Sequence, residues 1–153
     1  MAENTTNMTP PPVVPYLCVD GAAEAIDFYK TAFGAKELSR MPGPDGKLMH
    51  AALDINGGAI FLSDDFGASE GNGESPKAIG GSPVTIHLTV PDVDATWAQA
   101  VAAGTEVTMP LETQFWGDRY GQIRDPFGHK WSLSQPGAPR SPEEIQKAMQ
   151  AQG

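Results

Sequence analysis

The chain has 153 residues, 40% of them hydrophobic, and its 19 acidic against 10 basic side chains give a formal net charge of −9. This composition is typical of one soluble globular domain, which at this length buries roughly 68–70% of its unfolded surface without a structural metal or disulfide. Nucleic acid and anionic membranes are excluded as partners, because binding phosphate requires clustered Lys and Arg. A single cysteine, Cys18, and an N-terminal stretch without a basic and apolar signal pattern favour a cytoplasmic protein.

The first half of the chain is predicted to form a strand, a helix and three further strands. Ile26, Tyr29 and Phe33 recur about once per helical turn, and Gly34 follows them as a C-terminal cap. Alternating apolar runs bounded by PGPDG and NGG predict the strands. The predicted elements are strand 13–19, helix 22–33 and strands 35–41, 47–55 and 59–63.

The second half repeats the first at an offset of 71 residues. The offset aligns Leu17 with Leu88, Ile26 with Trp97 and Gly57 with Gly128, among other apolar and turn positions. Core faces and tight turns are the parts that two copies of one supersecondary unit must share. The predicted elements of the second copy are strand 84–90, helix 92–103 and strands 105–111, 119–124 and 130–134.

The remaining segments are predicted to connect or flank the two copies. Residues 1–12 are expected to be a flexible N-terminus, and the polar, glycine-rich segment 64–82 a flexible linker between units 13–63 and 83–135. The units lie within a domain predicted to span 13–140. Ser141, Pro142 and Glu144 have the spacing of a capping box, which predicts a C-terminal helix over 141–153.

Two βαβββ units, together with the segments VPDVDATWAQAVAAG and RDPFGHKWSLS, resemble the vicinal-oxygen-chelate superfamily of glyoxalases, dioxygenases and bleomycin-resistance proteins. PYLCVDGAAEAIDFYKTAFGA and KLMHAALDINGGAIFLSDD further resemble its PhnB-like branch. The resemblance implies an α+β fold in which mixed sheets curl around a concave cavity and helices cover the convex faces. It also implies a small-molecule ligand. Because open half-barrels leave strand edges and a cavity exposed that a symmetric partner can cover, we expect a homodimer.

Alternation along the strands separates cavity-facing from helix-facing side chains. Met49, Ala51, Leu53 and Ile55 form an apolar row that should meet the helix, as should Trp131 and Leu133. For strand 119–124 the repeat and the alternation predict opposite registers, so its facing stays open. The side chains expected in the cavity are Tyr16, Cys18, His50, Phe61, Ser63, Thr85, His87, Thr89 and Ser132.

The resemblance implies four metal-ligand positions on the first and last strands of the copies, and these hold Tyr16, Phe61, His87 and Ser132. Only His87 is a conventional ligand, whereas a transition-metal site usually has at least three protein ligands from His, Cys or carboxylates. We therefore expect no cofactor. A divalent metal on His50, His87 and Asp64 is the alternative.

His87 and His50 are the candidate catalytic residues, since a neutral imidazole acts as a general base or as a hydrogen-bond donor near pH 7. The alternative is that neighbouring threonines or backbone groups satisfy each ring. Cys18 has no basic neighbour to activate it, which favours a small buried residue over a nucleophile.

The segment FWGDRYG supplies the candidate ligand-binding residues Trp116, Arg119 and Tyr120, in addition to Tyr16 and Phe61. An aromatic face, a guanidinium fork and a hydroxyl together orient an anionic or planar ligand. Alternatively, Phe115 and Trp116 cap the cavity mouth, and Arg119 pairs with Asp118 or Asp125.

Two classes of function follow. The first is binding of a small molecule in the cavity of a homodimer, with catalysis left undecided. The second is a lyase or isomerase acting on a small polar metabolite, with or without a divalent metal. Loss of the implied ligand set favours binding, and two cavity histidines favour catalysis.

Overall fold

The computed structural model describes residues 9–67 and 74–152, and the chain divides into two compact units, 1–82 and 83–153. Each unit contains one four-stranded mixed sheet, called here the first and the second sheet. Strand order is β1-β4-β3-β2 in the first and β5-β8-β7-β6 in the second. The strands are β1 (Tyr16–Val19), β2 (Lys36–Pro42), β3 (Leu48–Ile55), β4 (Gly58–Asp64), β5 (Thr85–Thr89), β6 (Glu106–Thr113), β7 (Arg119–Arg124) and β8 (Lys130–Gln135).

Each sheet pairs its first strand in parallel with its last strand, and its other neighbours are antiparallel. The helices are α1 (Ala22–Phe33), α2 (Pro76–Ile79), α3 (Val93–Ala103) and α4 (Pro142–Gln152). The predicted α+β architecture of two βαβββ copies is confirmed, and both sheets are open rather than closed. None of these helices has the length and apolar character needed to cross a membrane.

The first unit buries one face of α1 against its sheet. Ile26 and Tyr29 are completely buried, as are Leu53 on β3 and Leu62 on β4. Burying each such side chain contributes about 1.5–3 kcal/mol. The opposite face of this sheet carries His50 and Phe61, and we call that side the open face.

Two details of the first sheet differ from the sequence prediction. The first strand begins at Tyr16 rather than at residue 13, because Pro12 and Pro15 have no amide hydrogen to donate to a ladder. Met49 is 53% exposed, and Leu48 takes its place in the core at 3%. An irregularity in the pairing of β2 with β3 skips Met49 and reverses the local alternation.

Asp64, predicted to begin a flexible linker, is a buried tie between three elements. One carboxylate oxygen accepts hydrogen bonds from the amides of Gly21 and Ala22 at the start of α1, at 3.1 and 2.9 Å. The other accepts from the amide of Leu48 on β3, at 2.7 Å. Farther on, buried Ser75 caps the short helix α2. The predicted linker 64–82 therefore contains ordered structure, while residues 68–73 lie outside the described part.

The second unit buries Trp131, Ile123 and Leu133 on the α3 side of its sheet, which confirms the helix facing predicted for β8. The indole nitrogen of Trp131 donates to buried Asp125 at 2.9 Å. Gly121 on β7 lies under Trp97 of α3, and a Cβ at Gly121 would lie 2.6 Å from the Trp97 ring.

The turns between the last two strands explain the ambiguous register of β7. In the first sheet, Asn56 and Gly57 alone connect β3 to β4, both with positive φ as in a type I′ hairpin turn. In the second, residues 125–129 connect Arg124 to Lys130. Ala52 faces Phe61 across the first pair, but Gln122 faces Ser132 across the second. The repeat offset is thus 70 for β7 and 71 for β8.

The chain ends in α4, where the predicted capping box is present. The amide of Glu144 donates to the hydroxyl of Ser141, and the amide of Ser141 donates to the carboxylate of Glu144. This reciprocal pair satisfies amide groups that the first helical turn leaves unpaired. The predicted flexible N-terminus, residues 1–12, lies outside the described part except for residues 9–12.

Candidate functional site

The open face of the first sheet brings together Tyr16, His50 and Phe61, three of the residues singled out by the sequence. The Tyr16 hydroxyl lies 2.9 Å from Nδ1 of His50 in a hydrogen bond that bridges β1 and β3. Phe61, on β4 between them, makes edge contacts to both rings at 5.6 and 4.8 Å between centroids. The alternation argument is therefore correct for these side chains.

A pocket of about 390 Å³ lies beside this aromatic cluster. Its walls are mostly apolar, and the carboxylate of Asp54 is the acidic group in them. One Asp54 oxygen accepts from the amide of Gly57 in the β3–β4 turn, at 2.9 Å. The remaining walls come from β2, β3, β4 and the segment before β1: Thr9, Pro10, Pro11, Leu38, Ser39, His50, Ala52, Gly58, Ala59 and Phe61.

The open face of the second sheet carries His87, Tyr120 and Ser132. His87 is exposed, and its Nδ1 lies 2.7 Å from Oγ of Ser132, which is only 2% exposed. The rings of His87 and Tyr120 are nearly parallel, at 19°, with centroids 6.0 Å apart. Nε2 of Gln122 donates to the Tyr120 hydroxyl oxygen at 2.9 Å. A buried serine thus holds the exposed His87 ring in place, and a glutamine holds the half-buried Tyr120 ring.

Trp116 belongs with this group, and Arg119 does not. The Trp116 ring meets Tyr120 edge-on at 5.6 Å between centroids. Arg119 precedes Tyr120 on β7, so its side chain lies on the α3 side, where the guanidinium forms a two-pronged ion pair with Asp94 of α3. Arg119 therefore does not share a face with His87, and the alternative that it pairs with Asp118 or Asp125 is not met either.

The ion pair shifts the pKa values of both partners in the direction that favours their charged forms. Hydrogen bonding to Asp94 raises the pKa of Arg119, and the same bonds lower the pKa of Asp94. Both groups are exposed, so the pair anchors α3 to β7 only weakly.

The two sheets carry the same residue pair in opposite order. With the offset of 70 in β7, Tyr120 stands where His50 stands in the first sheet, and His87 aligns with Tyr16. Each open face therefore has one tyrosine and one histidine, on its first and third strands. The strand between them supplies Phe61 in one sheet and Ser132 in the other.

The donor chemistry of this chain does not fit the metal site that the fold family implies. Phe61 cannot bind a metal, and the Ser132 hydroxyl is buried against Nδ1 of His87. Both oxygens of Asp64 are engaged by backbone amides, which removes it from the alternative ligand set. Within residues 9–67 and 74–152, no three His, Cys, Asp or Glu side chains are grouped to hold a metal ion.

Cys18, on the open side of β1, is unsuited to nucleophilic chemistry. Burial, together with the carboxylates of Asp65 and Asp64, raises the pKa of its thiol to about 11. A thiol with this pKa is almost entirely protonated at neutral pH, and the thiolate is the reactive form.

Sequence reasoning missed Gln122 and Asp54 as parts of these faces. Gln122 could have been found only with the correct register of β7, which the turn length decides. Asp54 was aligned with Asp125 by the repeat, but Asp54 lines a pocket whereas Asp125 is buried and bonds the Trp131 indole. His129 lies in the turn before β8.

Comparison with known proteins agrees with this architecture. A family model described as the Glyoxalase/Bleomycin resistance protein/Dioxygenase superfamily matches residues 10–133. An uncharacterized protein of Mycobacterium bovis is 56% identical over 144 residues, which cover 94% of this chain and 95% of that protein.

Three solved structures share the fold. TioX from Micromonospora sp. ML1 has a TM-score of 0.65 at 27% identity, covering 80% of this chain and 96% of TioX. The PhnB protein from Bacillus cereus has a TM-score of 0.63 at 20% identity, and the match covers 82% of this chain and 99% of that protein. FosX from Listeria monocytogenes, solved with Mn(II) and sulfate, has a TM-score of 0.62 at 19% identity, and the match covers 93% of this chain and 99% of FosX.

Proposed function

The chain belongs to the glyoxalase/bleomycin resistance protein/dioxygenase superfamily, and we propose that it binds a small organic molecule on the open faces of its sheets. We further propose that it does so as a homodimer in the cytoplasm, without a resident metal. Its structural similarity to a PhnB protein supports placing the chain near the PhnB-like branch of this superfamily.

One observation carries the proposal: a cluster of aromatic and imidazole side chains lies on the face of the first sheet opposite α1. Tyr16, His50 and Phe61 form such a cluster beside a pocket of about 390 Å³. Ligand sites typically have volumes of about 300–1,000 Å³, mostly apolar walls and a few polar groups that fix orientation. The pocket of the first sheet has these properties.

The homodimer is supported by the edges of the sheets. Within residues 9–67 and 74–152, the outer strands, β1 and β2 in the first sheet and β5 and β6 in the second, pair with a neighbouring strand on one side only. Apolar side chains on or beside these edges are exposed, including Met41 at 55% and Val84 at 62%. Proteins usually cover or block such edges, and a second copy in a symmetric dimer, the commonest kind of oligomer, can bury them.

Catalysis by a lyase or isomerase mechanism is the second candidate, and one observation favours it. Each open face places an imidazole beside a tyrosine hydroxyl or ring, as in the Tyr16–His50 hydrogen bond of 2.9 Å. A histidine poised in this way can transfer a proton to or from a bound substrate.

Binding to the first sheet can be tested with indole, a neutral aromatic molecule with one N–H donor. Titrated into ¹⁵N-labelled protein, indole should produce saturable amide shifts grouped around His50, Asp54 and Phe61. Ala59→Leu places a larger side chain in the pocket wall and should abolish these shifts, whereas Ala148→Leu on α4 should leave them unchanged. Shifts scattered over the surface, or shifts indifferent to Ala59→Leu, would refute the proposed pocket.

The other two parts of the proposal have their own measurements. Sedimentation equilibrium at micromolar concentration should give about twice the chain mass of 16.2 kDa, and a single monomeric species would exclude the homodimer. Elemental analysis should find well below one equivalent of transition metal. A stoichiometric metal that broadens the His87 resonances would return the protein to the metal-dependent class.

A further inference from the structure

The hydroxyl of Ser132 determines which nitrogen of His87 carries the proton. Ser132 is 2% exposed, and among the described residues its hydroxyl has the imidazole Nδ1 as hydrogen-bond partner, at 2.7 Å. If Nδ1 were the donor, the serine hydrogen would remain buried without an acceptor, which is costly. The serine therefore donates, and the neutral ring carries its hydrogen on Nε2.

This tautomer makes His87 a hydrogen-bond donor on the open face. Because Nδ1 is tied to buried Ser132 and the side chain as a whole is exposed, Nε2–H lies on the side of the ring away from the serine. In this state His87 has no free lone pair, so it cannot accept a proton from a substrate. The structure thus favours recognition of an acceptor atom over general-base catalysis at this position.

Tyr120 supplies a second donor beside the first. Its oxygen accepts a hydrogen bond from Nε2 of Gln122 at 2.9 Å, and in the part of the chain that the structure describes its own O–H has no acceptor. Tyr120 and His87 share a face and stack at 6.0 Å between centroids. Two adjacent donors define a site for an acceptor oxygen, and Trp116 adds an aromatic surface at its edge.

The charge around this site selects against an anion. Glu112 on β6 lies directly opposite Tyr120 in the sheet, which places its side chain on the same face. Arg119 is on the other face with Asp94, and Arg124 pairs with Glu106 at 3.2 Å. The donors His87 and Tyr120 thus have a carboxylate as neighbour, while Arg119 and Arg124 are engaged in ion pairs. Arg140 donates to the carbonyl oxygen of Phe115 at 2.8 Å, and Lys130 lies four residues along β8 from Ser134, the residue opposite Tyr120.

We propose that the open face of the second sheet, through His87 and Tyr120, binds the carbonyl oxygen of an uncharged, planar amide-like ligand. Glu112 is placed to accept from an N–H group of the same ligand, and Trp116 to contact its ring. This inference rests on the proposed small-molecule binding and names the ligand class of one face. It does not involve the pocket of the first sheet.

Three probes of nearly the same shape test the ligand class: benzamide, benzoate and benzamidinium. Benzamide offers a neutral carbonyl acceptor, benzoate an anionic one, and benzamidinium offers donors only. Titrations of ¹⁵N-labelled protein should give the order of affinity benzamide, then benzoate, then benzamidinium, with shifts centred on β5 and β7. Glu112→Gln should raise the affinity for benzoate close to that for benzamide, because the substitution removes the negative charge that repels benzoate.

Variants identify the two donors. Tyr120→Phe should weaken benzamide binding about two- to tenfold, the effect of one lost neutral hydrogen bond. Thr96→Val, which removes a hydroxyl from α3 on the other side of the second sheet, is the control and should leave the affinity unchanged. Nitrogen NMR of the neutral His87 ring should show a protonated Nε2, and Ser132→Ala should produce a mixture of tautomers.

The outcomes separate this inference from the proposed function. Tighter binding of benzamidinium at β5 and β7 would overturn the ligand class but leave binding on this face intact. Benzamide that causes no shifts up to its solubility limit, or that is indifferent to Tyr120→Phe, would overturn the two-donor site. A protonated Nδ1 on His87 would do the same and would restore the general-base role. The indole experiment on the first sheet is decided independently of all three.

Discussion

Replacing Asp64 by asparagine should destabilise the fold, although it only exchanges one carboxylate oxygen for an NH₂ group. The side chain is 7% exposed and accepts three backbone hydrogen bonds, from Gly21 and Ala22 on one oxygen and Leu48 on the other. An asparagine must place its NH₂ group at one of these two positions, where it meets an N–H donor. The cheaper orientation keeps both bonds to α1 and loses the bond to Leu48.

The magnitude follows from these contacts. Losing one hydrogen bond to a charged acceptor costs about 1.5–3 kcal/mol. Removing the negative charge from the N-terminus of α1 costs about 0.3–1 kcal/mol more. We therefore expect Asp64→Asn to lower the free energy of unfolding by about 2–4 kcal/mol, since the two costs add in a single buried site.

Urea denaturation at pH 7, followed by circular dichroism, measures this loss. Asp27→Asn is the matched control: it makes the same chemical change on the exposed side of α1 and should stay within about 0.5 kcal/mol of the parent. Hydrogen exchange adds a local measurement, since the Leu48 amide should lose protection in Asp64→Asn. Equal stability of the two variants would show that Asp64 does not tie β4 to α1 and β3.

Two further predictions concern Gly121 and Cys18. Gly121→Ala places a Cβ 2.6 Å from the Trp97 ring and 2.9 Å from the Leu111 Cα. It should lower the free energy of unfolding by about 1–3 kcal/mol, measured by thermal or urea unfolding. Gly58→Ala, whose Cβ would lie 3.5 Å from its nearest atom, should be nearly neutral. Because the pKa of Cys18 is raised to about 11, its alkylation by iodoacetamide at pH 8 should run about two orders of magnitude slower than that of free cysteine, and a comparable rate would contradict the burial of the thiol.

The elements that local sequence encodes were predicted well. Helix α1 has the predicted bounds, since the spacing of Ile26, Tyr29 and Phe33 and the Gly34 cap lie within one stretch of chain. Helix α3 begins one residue later than predicted, because Asp92 is its N-cap. Alternation assigned the faces of β1, β4, β5 and β8 because a strand has no other way to bury an apolar row.

The features that depend on distant partners were not predictable from the sequence. Arg119 was expected to bind a ligand, but its partner Asp94 is 25 residues away on α3. Asp64 appeared to belong to a polar linker, and its role depends on amides 16 to 43 residues away. Such contacts follow from the tertiary arrangement, which neither propensity nor periodicity contains.

The register of β7 shows how packing against the helix and the chemistry of the open face depend on each other. In the first unit, Ile26 of α1 and Ala51 of β3 are both completely buried, and the equivalent positions in the second unit are Trp97 and Gly121. The larger helix residue is matched by the smaller strand residue, as a core of fixed volume requires. With Gly121 fixed under Trp97, strict alternation sends its neighbour Tyr120 to the other side of the sheet. The contact that completes the core of the second unit therefore also presents the tyrosine hydroxyl beside His87.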